Sequence, residues 1–351
     1  MADRRFFAVA KTGHLASFLF VVAALLVAGG CERGPQAHKF SGSTMGTSYH
    51  VTVVTETSRV PAELGDGIFA AVDAVDRAMT TYSDDSELMA LNRAPLGTPF
   101  ALSPQLAEVL AISQQIHSDS EGAFDPTVGP LVNLWGFGPG KSRDEPPGDE
   151  ELEALLARVG FDALMLDTAA RTAIRERDIQ LDLSAVAKGY GADRVADHLR
   201  DLGYSDFLVE VGGEMVLSGA NAEGERWRIA VEIPDAHGRG VQRVIPVSDT
   251  AVATSGDYRN YFERDGKRFS HTLDPRTGYP VTHNLASVTV LAATAAEADA
   301  LATVFMVMGA ERSLAFAEQR RIPLLLLVKE TDGFREVSST TFVPYLGGTD
   351  D

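Results

Sequence analysis

Asp299 and Thr303 stand one helical turn apart in the run Thr294 to Met308, which is otherwise almost wholly apolar. A run of that length and spacing is expected to be a helix, so the two side chains share one face. A carboxylate and a hydroxyl together are hard oxygen donors of the kind Mg²⁺ takes. A polar stripe at the edge of a core helix has the same pattern. A second candidate segment is Leu181-Asp182-Leu183-Ser184-Ala185-Val186-Ala187-Lys188-Gly189. Asp182 alternates with leucines at the end of an expected strand, and a helix opening at Ser184 offers its N-terminus to an anion, with Lys188 adding charge. The plainer reading is a helix cap and a solvated lysine. Gly122-Ala123-Phe124-Asp125-Pro126-Thr127-Val128-Gly129-Pro130 punctuates a helix end with Asp-Pro and two glycines, as a binding loop or a structural corner would. Ser43-Thr44-Met45-Gly46-Thr47 precedes a strand and suits either a tight turn or a close approach of backbone amides to a ligand. His271 opens His271-Thr272-Leu273-Asp274-Pro275-Arg276-Thr277-Gly278 at the end of an expected strand. Its imidazole suits a base or a hydrogen-bonded polar residue.

Three familiar signatures are broken. Gly189-Tyr190-Gly191 lacks the third glycine of a dinucleotide fingerprint, because Arg194 occupies it. Gly140-Lys141-Ser142 ends like a P-loop, but Trp135 stands where its first glycine belongs. No His-Glu-x-x-His occurs among the eight histidines.

The elements that must position these residues can be read from periodicity. Helices are expected over Pro61–Met79, from Ser103-Pro104 onward, over Asp149–Val159, from Ser184 to about Leu202 and over Thr294–Met308. Strands are expected over His50–Val54, Ala163–Leu166, Arg171–Arg175, Ile179–Leu183 and Phe207–Val211. More follow over Glu214–Leu217, Trp227–Ile233, Val241–Val247, Phe269–Leu273, Ala286–Leu291 and Ile322–Val328. The alternation is irregular and often hairpin-spaced, which favours α+β over a doubly wound sheet. No repeat or long linker divides the chain into independent domains.

The chain has 351 residues, a net charge of −18, 45% hydrophobic residues and one cysteine. Setting aside residues 1–30, with three basic residues and one acidic, leaves −20, which argues against a nucleic-acid surface. One cysteine excludes intrachain disulfides and multi-cysteine metal sites. Arg4, Arg5 and Lys11 precede the 13-residue apolar run Leu15–Val27, the length of a signal-peptide core and too short to span a bilayer. Ala28-Gly29-Gly30 then lead to Cys31 in a pattern that resembles a bacterial lipobox, with Ala28 where a larger aliphatic residue is usual. Residues 1–30 are therefore expected to be a lipoprotein signal peptide, 31–40 a polar tether and 41–348 the folded domain.

From Ser43 to Thr303 the chain resembles the bacterial FAD:protein FMN transferases, periplasmic flavin-attaching lipoproteins. The motifs named above carry the likeness, together with Thr81-Tyr82-Ser83, Val211-Gly212-Gly213-Glu214, Ala253-Thr254-Ser255-Gly256-Asp257-Tyr258 and Glu297–Thr303. The resemblance implies a single catalytic domain of α+β class, with mixed sheets flanked by helices and a cleft between two lobes. It implies transfer of the FMN half of FAD to a Thr or Ser hydroxyl of a periplasmic acceptor flavoprotein, with Mg²⁺ and release of AMP. FAD contacts are then expected from Met45, Tyr82, Ala123, Phe124, Asp125, Asp182, Lys188, Leu273 and Ala302. Mg²⁺ is expected on the Asp299 and Thr303 side chains and the Ala185 carbonyl. Among residues of the matching motifs, His271 has the intrinsic pKa that best suits a base. Membrane attachment is expected through a lipid on Cys31. With water as acceptor the same scaffold would be an FAD pyrophosphatase; without turnover it would be a flavin-binding lipoprotein.

Overall fold

The computed structural model describes residues 34–138, 143, 145–234, 240–256, 261–264 and 267–347. Cys31, the leader, Gly140-Lys141-Ser142 and Asp257-Tyr258 lie outside the described residues. Fifteen strands are described: β1 (Gln36–Thr44), β2 (Thr47–Thr55), β3 (Phe100–Ala101), β4 (Leu164–Asp167), β5 (Thr172–Arg175), β6 (Asp206–Val211), β7 (Glu214–Ser218), β8 (Trp227–Glu232), β9 (Val241–Val247), β10 (Thr250–Gly256), β11 (Tyr261–Arg264), β12 (Lys267–Ser270), β13 (Leu285–Ala292), β14 (Leu324–Glu330) and β15 (Gly333–Ser338). The described helices are α1 (Glu63–Met79), α2 (Glu87–Arg93), α3 (Pro104–Asp119), α4 (Gly129–Leu134), α5 (Asp149–Leu156), α6 (Ala187–Asp201), α7 (Ala295–Met308) and α8 (Ala310–Arg320).

Eight strands form one sheet in the order β1-β2-β6-β7-β10-β13-β14-β15, and every described pair in it is antiparallel. Side-chain alternation lets this sheet serve two cores. In the continuous apolar run of β14, Leu324, Leu326 and Val328 join the core beneath the helices, while Leu325 and Leu327 join a second core with Trp227, Ile245 and Phe342. The helical core is closed by α7, whose residues are buried almost all round, and by the apolar stripe Leu64, Ile68, Val72, Val75 and Met79 of α1. The small sheet β3-β5-β4 packs Leu164 and Ala173 into the helical core, and a separate cluster of Leu131, Trp135, Leu152 and Leu273 reaches the cleft through Leu273. The α+β expectation holds.

Several boundaries differ from the sequence reading, each for a local reason. Residues 36–39, expected in a tether, pair with Thr52 to Thr55 of β2, so the ordered sheet begins at Gln36. The joining turn is two residues, Met45 and Gly46, with φ of 48° and 71°. Both are left-handed, as a type I′ hairpin requires, and Gly46 takes that geometry without Cβ strain. Met45 tolerates it with its N–H bonded to Asp76 Oδ2 at 3.0 Å.

Residues 179–183 form no ladder. Their backbone is satisfied from the side: Asn92 Oδ1 accepts from Leu181 N–H at 2.8 Å, Asn92 Nδ2 donates to the Leu181 carbonyl at 2.9 Å, and Asp182 N–H donates to Pro126 O at 2.7 Å. Helix α6 starts at Ala187 rather than Ser184, because Asp182 Oδ1 captures the Ser184 N–H at 2.9 Å and a turn follows. Strand β12 stops at Ser270, so His271 and Leu273 sit just past it, and Leu273 bridges only to Pro280.

Candidate active site

The cleft holds a cavity of about 510 Å³, and all but two of the expected site residues line it. Tyr82 is at its mouth, 75% exposed. Ala123, Phe124 and Asp125 form one wall, Asp182, Ala185 and Lys188 another, and His271 and Leu273 a third, with Asp299 and Thr303 on α7. Met45 and Ala302 are the two exceptions. Met45 packs between the two helix-side cores, near Gly191, and Ala302 is fully buried within α7.

The centre of the site is a three-member charge cluster. Lys188 Nζ lies 3.1 and 3.2 Å from the two Asp299 oxygens and 3.0 Å from Glu214 Oε1. Asp299 and Glu214 are both buried, and Asp299 Oδ2 also accepts from Gly189 N–H at 3.1 Å. Burial works against the Lys188 ammonium, but the two carboxylates outweigh it and hold its pKa well above the ordinary lysine value. Burial also pushes the Glu214 carboxyl up, only partly opposed by Lys188. Glu214 Oε2 is buried with no hydrogen-bond partner.

Glu214 ends the Val211-Gly212-Gly213-Glu214 motif and is a site residue that the sequence reading does not identify. The available signal was its register: it shares the β7 face of Val216, which belongs to a helix-side core, so a carboxylate there must enter the interior. Thr254, Ser255 and Gly256 of β10 also line the cavity.

Two of the expected carboxylates also hold the loops that carry them. Asp125 Oδ1 accepts from Thr127 N–H at 2.8 Å and from the Thr127 hydroxyl, while Oδ2 accepts from Phe161 N–H at 3.1 Å. Asp182 closes the turn into α6 through Ser184 N–H and its hydroxyl. Thus Gly122–Pro130 is a structural corner and a cavity wall together.

His271 meets the Phe137 ring edge-on at 6.5 Å. The strand that ends just before it, β12, belongs to the β11–β12 hairpin, where Phe262 and Phe269 stack at 5.1 Å and Phe269 stacks on Trp135 at 5.6 Å. Trp135 Nε1 donates to Gly278 O at 2.8 Å, tying that aromatic stack to the turn after His271. In the same turn Arg276 grips Asp274 bidentately at 2.8 and 2.7 Å. Burial raises the Asp274 pKa, but the Arg276 bonds prevail and hold it below the ordinary carboxylate value.

Among the described residues no group of three or more His, Cys, Asp and Glu side chains forms a metal cluster. The donor set here has a different composition: one carboxylate, one hydroxyl and one carbonyl at Asp299, Thr303 and Ala185, beside a second carboxylate with an orphaned oxygen. With Asp299 and Glu214 ionised, Lys188 leaves the cluster one charge negative, so these residues fit a small hard cation.

The profile of the ApbE family matches residues 45–326. A Vibrio cholerae protein named FAD:protein FMN transferase is 44% identical over 332 residues, covering 94% of this chain and 99% of that one. An Escherichia coli protein of the same name is 38% identical, covering 93% and 96%. Among solved structures, the flavin transferase ApbE from Vibrio cholerae superposes with a TM-score of 0.82 at 43% identity, covering 89% of this chain and 100% of that one. The apo flavinyl transferase ApbE of Pseudomonas stutzeri also gives 0.82, at 38% identity, covering 90% and 98%. A family match over residues 45–326, with relatives of 38–44% identity and backbones that follow this one nearly end to end, makes this chain a member of the ApbE family.

Proposed function

We propose that this protein transfers the FMN half of FAD to a Thr or Ser hydroxyl of an acceptor flavoprotein, releasing AMP. The carrying observation is the convergence of Lys188, His271, Asp299 and Thr303 on one cavity in a chain whose relatives are named FAD:protein FMN transferase. The acceptor oxygen forms a bond to the FMN phosphorus. The phosphorus–oxygen bond to AMP breaks, and AMP leaves with the electron pair. His271 takes the hydroxyl proton as the oxygen attacks, since a neutral hydroxyl is a poor nucleophile.

Lys188 presents positive charge to a dianionic pyrophosphate, but two carboxylates already draw on it. The cluster is therefore short of positive charge once substrate arrives. Asp299, Thr303 and the Ala185 carbonyl are the groups that would hold Mg²⁺. When bound, the ion supplies charge neutralisation on the phosphoryl oxygens. The cleft walls of Phe124, Val128, Leu273 and Met306 exclude water from an apolar portion of the ligand. Tyr82, largely exposed at the mouth, offers a ring face to the flavin.

The leader supports export and a lipid anchor at Cys31, which would put the chemistry on the periplasmic face of a membrane. The deciding experiment incubates purified protein with FAD, Mg²⁺ and candidate periplasmic flavoproteins, following acceptor mass and AMP. Flavin-bearing acceptor with AMP is expected. AMP with only free FMN would assign a pyrophosphatase, and bound FAD without AMP under any metal condition would assign a binding protein.

A further inference from the structure

The Lys188–Asp299 pair is held by more than its own contacts. Asp299, on α7, accepts the N–H of Gly189 in the first turn of α6 at 3.1 Å. Helix α6 answers in kind. The carboxylate of Asp193, buried and outside the cavity lining, accepts from Ala295 N–H at 2.8 Å and from Ala296 N–H at 2.9 Å. These are the first two residues of α7, and the next free N–H, of Glu297, goes to Thr294 Oγ1 at 3.2 Å. Each helix start is thus capped by a carboxylate from the other helix, and each anion lies at the positive end of its partner's dipole. The helices meet so closely that a Cβ on Gly189 would stand 2.1 Å from the Ala295 carbonyl oxygen.

We propose that Asp193 is a positioning residue for the reaction proposed above: with Asp299 it forms a reciprocal latch that fixes α6 against α7, and thereby sets Lys188 against Asp299 in the cavity. Lys188 directly precedes the latched Gly189, and Asp299 lies one turn beyond the latched Ala295. Slippage between the helices is transmitted to the pair over a single turn. A displacement of about 1 Å at reacting groups can lower a rate by about 10²-fold. The carboxylate serves this purpose although burial raises its pKa to about 6, against the pull of the two backbone N–H bonds.

The test uses the full chain carrying Asp193→Asn, which keeps the shape but turns an amide NH₂ toward a backbone N–H. Asp193→Ser, which keeps one short acceptor, is the second variant. Four quantities are read: the urea midpoint, the Kd for FAD without metal by flavin fluorescence, the Mg²⁺-dependent rise in unfolding temperature with FAD present, and kcat with its Mg²⁺ half-saturation. In both variants we expect FAD affinity within about twofold of wild type, kcat lower by about tenfold or more, and Mg²⁺ half-saturation raised with a smaller Mg²⁺-dependent thermal shift. Variants that lose only urea resistance, with wild-type kcat and Mg²⁺ response, would overturn the latch as a positioning device. Absence of FMN transfer by the wild type would instead overturn the proposed function, and the Mg²⁺-dependent thermal shift would still report on the latch.

Discussion

Replacing Lys188 with methionine removes the single cation of the cavity cluster while keeping most of its stem volume. In the wild type its ammonium is 3.0 Å from Glu214 and 3.1 Å from Asp299, and those side chains are only 6% and 4% exposed. The variant leaves two buried carboxylates without a counter-charge, a change worth about 3–5 kcal/mol when one member of a buried pair is deleted. At about 2 °C per kcal/mol for a domain of this size, the melting temperature should fall by roughly 6–10 °C at pH 8. The loss should depend on pH. Burial already holds the Glu214 pKa above its ordinary value, and removing Lys188 raises it further. A carboxyl whose folded pKa exceeds its unfolded one contributes stability below the unfolded value and loses it as pH rises through the folded value. The deficit of the variant should therefore be small near pH 5 and complete by pH 8. Urea unfolding at both pH values, followed by circular dichroism, measures it. Adding Glu214→Gln to Lys188→Met should recover part of the loss at pH 8. A deficit below about 1 kcal/mol at pH 8, as for solvent-screened pairs, or an equal deficit at both pH values, would refute the buried-cluster argument.

His271→Asn should lower FMN transfer by about 10²–10⁴-fold and abolish the acidic limb of its pH profile, with FAD affinity little changed. A variant that binds FAD poorly but keeps the wild-type pH dependence would make His271 structural. Gly46→Ala should cost about 1 kcal/mol in urea unfolding through backbone strain alone, since φ is 71° and no atom lies within 4 Å of the added Cβ. An unchanged midpoint would show that the hairpin turn relaxes. Cys31→Ser should move the protein from membranes to the soluble periplasmic fraction with its activity in vitro intact; a wild type already soluble without detergent would refute the lipid anchor.

Legibility in the sequence followed the range of the forces involved. Helix α7 was readable because its apolar run, Thr294 cap and following Gly309 are local signals. So was the sharing of one cavity by Asp299 and Thr303, which helical geometry alone places on one face. The missing strand over 179–183 failed for a non-local reason: Asn92 and Pro126, distant in sequence, satisfy the backbone that a ladder would otherwise pair. Lys188 was visible as a cation, but its two buried partners come from β7 and α7, and only tertiary packing shows that they share it. Asp125 and Asp182 stand in Gly- and Ser-rich turns where acidic side chains serve ligands and local N–H groups equally well, and the local N–H bonds they make are visible only in the folded structure. Residues 36–39 read as tether because a polar edge strand lacks the apolar alternation of its neighbour, and its pairing comes from β2.

The early start of β1 fixes the length of a leash. On the lipoprotein reading proposed above, only the steps from Cys31 to Gln36 separate the lipid from the first hydrogen-bonded rung of the sheet. Fully extended, that stretch reaches roughly 17 Å at about 3.3–3.6 Å per residue. The enzyme would then patrol a thin shell against the bilayer, with the β1 edge nearest the lipid. It could not reach out to acceptors dissolved in the bulk compartment. Its clients would be those that bring a hydroxyl-bearing loop down to the membrane surface, and lengthening the leash should widen that set without altering a single residue of the cleft.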